Sequence, residues 1–186
     1  MPPKPLTEVP SFASDSRLLR GAYRFATVAH HGLASEGDTE IDHPIRVAWL
    51  LEERGFEEEV VAAAFLHDVI EDTSVDPDEI EENFGPEVAE LVREMTENES
   101  IQPYEARKAE HRSRVTRDRR VAAIYAADKL ANTRTLNENE QDPDDAKLEH
   151  YRRTLDTLSA EHPDLPFLGP LREELAHLVG KRSSKN

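Results

Sequence analysis

Cysteine is absent from the sequence of 186 residues. Its absence excludes disulfides, thiolate metal sites and cysteine nucleophiles, and it fits a reducing compartment. Residues 1–5 carry no apolar signal region, and no apolar run reaches the length that spans a membrane. We therefore expect a soluble, cytoplasmic protein with no membrane partner.

Basic residues are scarce beside acidic ones, with 23 Lys and Arg against 39 Asp and Glu and a formal net charge of -16. This balance argues against a protein that binds nucleic acid or anionic membranes non-specifically. We expect most of the acidic side chains to lie on solvated helix faces. A small anionic substrate is compatible with this charge only where basic side chains gather locally.

Such a gathering exists in the second half of the chain. The basic residues of this run are Arg107, Lys108, Arg112, Arg114, Arg117, Arg119 and Arg120. We expect most of them to pair with acidic neighbours on a solvated face. We expect Arg107 or Lys108 to face the substrate pocket, because guanidinium and ammonium groups suit phosphate oxygens.

Segments with the alternating pattern and β-branched enrichment of strands are also missing, whereas apolar residues recur at helical spacing along most of the chain. The sequence predicts an all-α fold: a single helical domain over residues 14–180. A flexible arm over 1–13 precedes it, and a disordered tail over 181–186 follows it. Two apolar helices, over about 57–72 and 121–136, are expected at its centre.

The first apolar run, residues 60–66, ends in a cluster of ionisable side chains. The cluster consists of His67, Asp68, Glu71 and Asp72. In a continuous helix Glu71 lies one turn beyond His67 and Asp68, and Asp72 one turn beyond Asp68. Burying so many charges is costly unless a cation or a partner compensates them. We therefore hypothesise a divalent metal at this end of the helix.

Two further residues are candidates for the same site. The second apolar run, residues 121–127, ends in Asp128, and His43 stands before Pro44 at the start of a helix. Two imidazoles and two carboxylates form a mixed nitrogen and oxygen set that suits manganese, iron or zinc with positions left open for water. Such a metal lowers the pKa of bound water from ~15.7 to roughly 7.

Three motifs in this order resemble a known family, the HD-domain metal-dependent phosphohydrolases. They are His43-Pro44, His67-Asp68-x-x-Glu71-Asp72 and Asp128-Lys129-Leu130-x-Asn132-x-Arg134. Their spacing is most similar to the branch that hydrolyses guanosine tetra- and pentaphosphate, and the likeness covers residues 17–158. It implies a helical HD domain with a metal site between its central helices.

The resemblance also implies roles for individual residues. The implied metal ligands are His43, His67, Asp68 and Asp128, and the usual metal is Mn2+, with Fe2+ or Zn2+ as alternatives. Glu71 and Asp72 correspond to the acidic pair that positions or activates the attacking water. Asn132 corresponds to a position near the nucleotide. Lys129 and Arg134 correspond to basic positions there, which either neutralise phosphate or hold carboxylates in place, and Arg107 and Lys108 are further candidate phosphate contacts. The implied reaction removes the 3′-pyrophosphate and gives GDP or GTP.

The sequence departs from the family in residues 33–40, which lack the basic and aromatic residues of the family's nucleotide-binding loop. This departure does not affect the expected metal chemistry, but it leaves the identity of the substrate open. The alternatives are an HD phosphohydrolase of another nucleotide or phosphate ester, and a nucleotide-binding regulatory module without turnover. The oligomeric state is not indicated.

The histidines in the second half of the chain lie outside these motifs. We expect the four in the second half of the chain to be exposed on polar helices or loops; they are His111, His150, His162 and His177. We expect Trp49, Tyr104 and Tyr151 in the core or in a pocket wall.

Overall fold

The structure, a computed structural model, describes residues 8–31 and 41–185. These residues form α-helices and one 3-10 turn and contain no strand, which confirms the all-α prediction. Residues 1–7 of the predicted arm, and all of residues 33–40, where the sequence departs from the family, lie outside the described residues. The chain divides into two compact units, Met1–Thr96 and Glu97–Asn186.

Among its described residues, the first unit contains a short 3-10 turn, Ser11–Ala13, and six helices. The helices are α1 (Arg17–Ala29), α2 (Asp42–Glu52), α3 (Glu58–Leu66), α4 (Val69–Asp72), α5 (Pro77–Phe84) and α6 (Pro86–Met95). Helix α3 packs against α1, α2 and α6, and α5 packs against α6. A helix that is apolar on all sides is expected at the centre of a core, and α3 occupies that place.

The residues of α3 from Val60 to Leu66 are all buried. Phe65 stacks on Phe12 with ring centroids 5.8 Å apart, and Tyr23 meets the same ring edge-on at 5.8 Å. Phe12 belongs to the 3-10 turn, so the described end of the predicted arm packs on the core. Aromatic packing of this kind contributes through both burial and ring geometry.

Local sequence signals explain where these helices begin and end. The Ser16 side chain accepts the amide of Leu19 at the start of α1, and its hydroxyl donates to Glu58 at 2.9 Å. Asp76 and Glu79 form a capping box at the start of α5. Gly85, with φ of +88°, separates α5 from α6 in a conformation that favours glycine.

The second unit contains four helices. They are α7 (Tyr104–Val115), α8 (Arg119–Glu138), α9 (Asp145–Glu161) and α10 (Leu168–Lys185). Helix α8 packs against α7, α9 and α10, and its residues from Val121 to Asp128 are all buried. The prediction of a second buried apolar helix is therefore confirmed. Among the described helices none is both long enough and apolar enough to cross a membrane.

Two boundaries differ from the prediction. The helix expected over 57–72 ends at Leu66, and a turn at residues 67 and 68 separates α3 from α4. Helix α10 continues through Lys185, into the tail expected to be disordered. Polar contacts support this extension, because Lys181 Nζ donates to the Asn137 carbonyl at 3.0 Å and Arg182 lies 3.0 Å from Asp142.

We predict that Phe65→Ala destabilises the protein by about 3–5 kcal/mol, because it leaves a cavity between two aromatic rings. Urea unfolding followed by circular dichroism measures the change. Val28→Ala is the control, since Val28 is 65 % exposed. It should shift the free energy of unfolding by less than about 0.5 kcal/mol. Equal effects of the two variants would contradict the placement of α3 at the core.

Candidate metal centre

The buried ring of His67 interrupts the central helix. Its Nδ1 lies 2.8 Å from the carbonyl oxygen of Ala64, the group that the amide of Asp68 bonds in a continuous helix. A carbonyl only accepts hydrogen bonds, so Nδ1 carries a proton and donates it. The other nitrogen, Nε2, is then the acceptor of the neutral ring. This tautomer is the one required for a metal bond through Nε2.

The Nε2 atom of His67 lies 3.1 Å from Oδ1 of Asp68. In the neutral tautomer this contact joins two electron-pair acceptors, which repel each other at that distance unless positive charge lies between them. The charge is either a second proton on the ring or a cation bound by both atoms. The pair therefore fits a metal ligand set, on the chemistry of its own donor atoms.

His43 joins this pair in the first unit. It is the second residue of α2 and is partly buried, and its ring centroid lies 5.4 Å from that of His67. The His67 ring thus contacts both His43 and Asp68, and all three residues are among the four ligands expected from the sequence.

The acidic pair Glu71 and Asp72 occupies α4, directly after the turn. Both residues are exposed, and the amide of Asp72 donates to the carbonyl of Asp68 at 2.9 Å. The two carboxylates therefore lie on the short helix α4, which begins two residues after His67. Exposure to water suits groups that are expected to act on a water molecule.

Asp128, the fourth expected ligand, is buried on α8 in the second unit. Its Oδ1 accepts the side-chain amide of Asn132 at 2.6 Å, and its Oδ2 pairs with Lys129 Nζ at 2.7 Å. Asn132 and Lys129, expected near the nucleotide, therefore contact the carboxylate of Asp128. Because each carboxylate oxygen accepts two bonds, these contacts are compatible with metal coordination.

Lys129 is an ammonium held in an aromatic environment. Its Nζ lies 4.6 Å from the ring centroid of Tyr125 and 5.7 Å from that of Tyr151. Burial opposes the charge, but the attraction of Asp128 outweighs it and holds the pKa of Lys129 well above its ordinary value. Burial raises the pKa of Tyr151 to about 12, so that ring stays neutral. Cation–π attraction of this kind is stronger for a desolvated ammonium.

Glu97 engages the two residues expected to face a phosphate. Arg107 Nε lies 3.1 Å from its carboxylate, and Lys108 Nζ pairs with the other oxygen. Burial raises the pKa of Glu97, but contacts with His111 and Lys108 outweigh burial and lower it. Arg134 pairs in turn with Glu174 at 3.4 Å. Any phosphate that binds these cations has to compete with a resident carboxylate.

Three further residues of the basic run pair with acidic neighbours, as expected. The ion pairs are Arg114 with Glu110 at 3.0 Å, Arg119 with Asp164 at 2.8 Å and Arg120 with Asp118 at 2.8 Å. Pairs of this kind contribute little to stability. Arg112 differs from them, because it is buried and contacts a histidine.

The expectation that His111 and His150 are exposed is wrong, since each is only 3 % exposed. The ring of His111 meets that of Tyr125 edge-on at 5.1 Å, and His150 Nδ1 lies 2.7 Å from Arg112 Nη1. On α9, His150 lies one turn before the buried Thr154, so both belong to the buried face of that helix.

Of the remaining expectations for single side chains, some agree with the structure and others do not. His177 is exposed as expected, whereas His162 is partly buried and its Nε2 lies 2.8 Å from the Thr116 carbonyl. Tyr151 is buried as expected. Trp49 is 44 % exposed, because the buried face of α2 is defined by Val47 and Leu51.

We predict that His150 makes the protein less stable at low pH. Burial and then the charge of Lys129 lower the pKa of the folded imidazole from 6.5 to about 3. The unfolded chain therefore binds a proton that the folded chain refuses, and stability falls as pH drops from 6.5 towards 3. The slope from this group approaches about 1.4 kcal/mol per pH unit.

Urea unfolding at several pH values compares the wild type with His150→Asn, which keeps an acceptor near Nδ1. The variant should lose about 1 kcal/mol or more of the acid-dependent destabilisation. His177→Asn, at an exposed site, is the matched control and should keep the wild-type slope. A wild-type slope in both variants would contradict a neutral, buried His150.

Comparison with known proteins adds the family. The sequence profile of the HD domain matches residues 22–157. The chain is 32 % identical over 171 residues to a GTP pyrophosphokinase rsh of Brucella melitensis, covering 87 % of this chain and 22 % of that protein. It is 36 % identical over 138 residues to a guanosine-3′,5′-bis(diphosphate) 3′-pyrophosphohydrolase of Aquifex aeolicus, covering 72 % of this chain and 19 % of the relative.

A solved structure described as a metazoan ortholog of SpoT that hydrolyses ppGpp is also similar. It superimposes with a TM-score of 0.71 at 28 % identity, covering 90 % of this chain and 96 % of that one. The chain spans about a fifth of the length of the curated relatives named above. The HD profile covers the greater part of the sequence, including all three motifs. The chain therefore belongs to the HD domain family.

Proposed function

We propose that this protein is a metal-dependent phosphohydrolase that removes the 3′-pyrophosphate of guanosine tetra- or pentaphosphate. The observation that carries the proposal is the ring of His67. Its Nδ1 is committed to the Ala64 carbonyl, and its Nε2 faces Asp68 at 3.1 Å. A buried ring with this tautomer is suited to hold a metal rather than to transfer protons.

The proposed ligands of one divalent cation are His43, His67, Asp68 and Asp128. Support comes from the match to the HD domain, which runs through residues 22–157 and includes all four. Carboxylate oxygens suit Mn2+ and imidazole nitrogens suit Fe2+ and Zn2+, so a set of two nitrogen and two oxygen donors accepts each of these cations. We propose Mn2+, with Fe2+ and Zn2+ as alternatives.

A cation bound there supplies Lewis acidity, which polarises a phosphate oxygen and lowers the pKa of a coordinated water. The protein's own residues perform the rest. Glu71 or Asp72 accepts the proton of the attacking water, a role that suits exposed carboxylates on α4. Asn132 and Lys129 hold the carboxylate of Asp128 in one orientation.

Phosphate contacts are assigned to the cations that the structure pairs with carboxylates. Lys129, Arg107, Lys108 and Arg134 each contact an acidic side chain, so a substrate with several phosphates is required to displace or share these partners. A highly charged nucleotide such as guanosine tetraphosphate meets that requirement better than a monophosphate.

The substrate is supported by the relatives, whose names describe ppGpp hydrolysis. A second candidate is a different nucleotide or phosphate ester, which the lack of basic residues in 33–40 favours. A nucleotide-binding regulatory module without turnover is the third. The net charge of -16 supports a small-molecule partner over nucleic acid. We keep the cytoplasm as the proposed location.

We predict that the purified protein releases pyrophosphate from guanosine tetraphosphate in the presence of Mn2+ and loses this activity when the metal is chelated. Asp68→Ala should abolish both activity and bound metal, because it removes an oxygen ligand next to His67. Asp78→Ala on α5 is the matched control, since that side chain is 87 % exposed. Full activity of Asp68→Ala would refute the metal assignment.

The same assay with a panel of nucleotides decides the substrate. Pyrophosphate release from guanosine tetraphosphate alone supports the first candidate. Orthophosphate or pyrophosphate release from another nucleotide, with none from guanosine tetraphosphate, supports the second. Tight binding with no turnover under Mn2+, Fe2+ or Zn2+ supports the regulatory module.

We predict that Glu71→Gln and Asp72→Asn lower kcat while leaving the bound metal in place. General-base catalysis contributes about 10²–10⁴-fold, and at least one of the two variants should lose activity in that range. Metal content measured by mass spectrometry should match that of the wild type. Loss of the metal in these variants would instead assign the acidic pair to metal binding.

A further inference from the structure

A row of buried polar side chains in the second unit ends at Lys129. The row begins with Arg112, passes through His150 and reaches Tyr125, whose ring carries the Lys129 ammonium. All four residues lie within Glu97–Asn186. Neither the proposed chemistry nor the sequence motifs use the first three.

Hydrogen bonding fixes the direction of this row. Arginine only donates, so His150 Nδ1 accepts from Arg112 Nη1 at 2.7 Å. His150 Nε2 then carries the proton of the neutral ring and points it at the Tyr125 hydroxyl, 3.3 Å away. Burial lowers the pKa of His150 to about 3, so the direction persists at neutral pH.

Tyr125 is held from two sides as a result. His150 fixes its hydroxyl end, and the ring of His111 packs edge-on against it with 5.1 Å between centroids and 70° between the planes. Its face remains in contact with the Lys129 ammonium at 4.6 Å. Lys129 and Tyr125 are four residues apart on α8, a spacing that places them on one helix face.

The Lys129 ammonium is largely removed from water, so its charge depends on neighbouring groups for stabilisation. Its ammonium pairs with Asp128 Oδ2 at 2.7 Å and lies 4.6 Å from the Tyr125 ring centroid and 5.7 Å from that of Tyr151. A shift of the Tyr125 ring removes one of these supports and changes the direction from which the ammonium approaches Asp128.

We propose that Arg112, His150 and Tyr125 are positioning residues that act through Lys129 on the carboxylate of Asp128. The inference rests on the proposed function for its last step, because Asp128 is a proposed metal ligand. Asn132 orients the other carboxylate oxygen at 2.6 Å, so the two contacts together define the plane of the group. Partners that orient a metal ligand typically change metal affinity by about 10–100-fold when removed.

The test uses two conservative variants that break the row at the same contact. Tyr125→Phe keeps the ring and removes the hydroxyl. His150→Asn keeps an acceptor for Arg112 and removes the donor to Tyr125. Tyr23→Phe, a change of the same kind in the first unit, is the matched control. Circular dichroism verifies that all three fold.

The first readout is the 15Nζ signal of the Lys129 ammonium in metal-free protein, assigned with Lys129→Met. We expect the signal to shift or broaden beyond detection in Tyr125→Phe and in His150→Asn, and to stay unchanged in Tyr23→Phe. An unchanged signal in the first two variants would overturn the positioning role, whatever the protein's activity.

The second readout is the dissociation constant for Mn2+, measured by titration calorimetry. We expect Tyr125→Phe and His150→Asn each to weaken Mn2+ binding by about 10-fold or more. Because both substitutions break the same contact, the double variant should bind Mn2+ no more than about twofold more weakly than the weaker-binding single variant. A changed Lys129 signal with unchanged Mn2+ affinity would overturn the effect on Asp128. A wild type that binds no Mn2+ would overturn the proposed function, while the ammonium signal would still test the link from His150 to Lys129.

Discussion

The contact between His67 and Asp68 is the constraint on which the first unit depends. The buried imidazole of His67 donates a hydrogen bond from Nδ1 to the Ala64 carbonyl. Its acceptor nitrogen, Nε2, faces the Asp68 carboxylate 3.1 Å away. Apolar packing brings this about, because α3 is buried from Val60 to Leu66 and places the next residue, His67, in the core. The helix ends there, and α4 then presents two carboxylates to solvent.

In the second unit, too, charged side chains are removed from water and need compensating contacts. Asp128 is buried, the Lys129 side chain is only 12 % exposed, and each is the counter-charge of the other. Desolvation of such a pair is costly, so its geometry has to be supported by further contacts. Asn132 supports the carboxylate, and two tyrosine rings support the ammonium. The charges that the proposed chemistry uses are thus held by uncharged neighbours on α8 and α9.

Much of the fold follows from the sequence, because apolar residues at helical spacing locate the buried helices α3 and α8. The sequence also identifies His67 and Asp128 as candidate site residues, because they directly follow the apolar runs 60–66 and 121–127. The break at His67 does not follow, because it depends on a side chain competing for a backbone carbonyl. The burial of His111 and His150 was also beyond the pattern, since their partners Tyr125 and Arg112 lie on other helices or far along the chain. Lys129 and Asn132 show a further limit: spacing places them beside Asp128 without revealing that they bond to it.

The central claim is that a divalent cation lies between the His67 imidazole and the Asp68 carboxylate. Anomalous diffraction from crystals grown with Mn2+ tests it most directly. The account predicts an anomalous peak about 2.0–2.3 Å from His67 Nε2 and from an Asp68 oxygen, a range set by typical metal–ligand bonds. Crystals with full Mn2+ occupancy elsewhere, and a direct His67–Asp68 hydrogen bond with no peak beside it, would contradict the account.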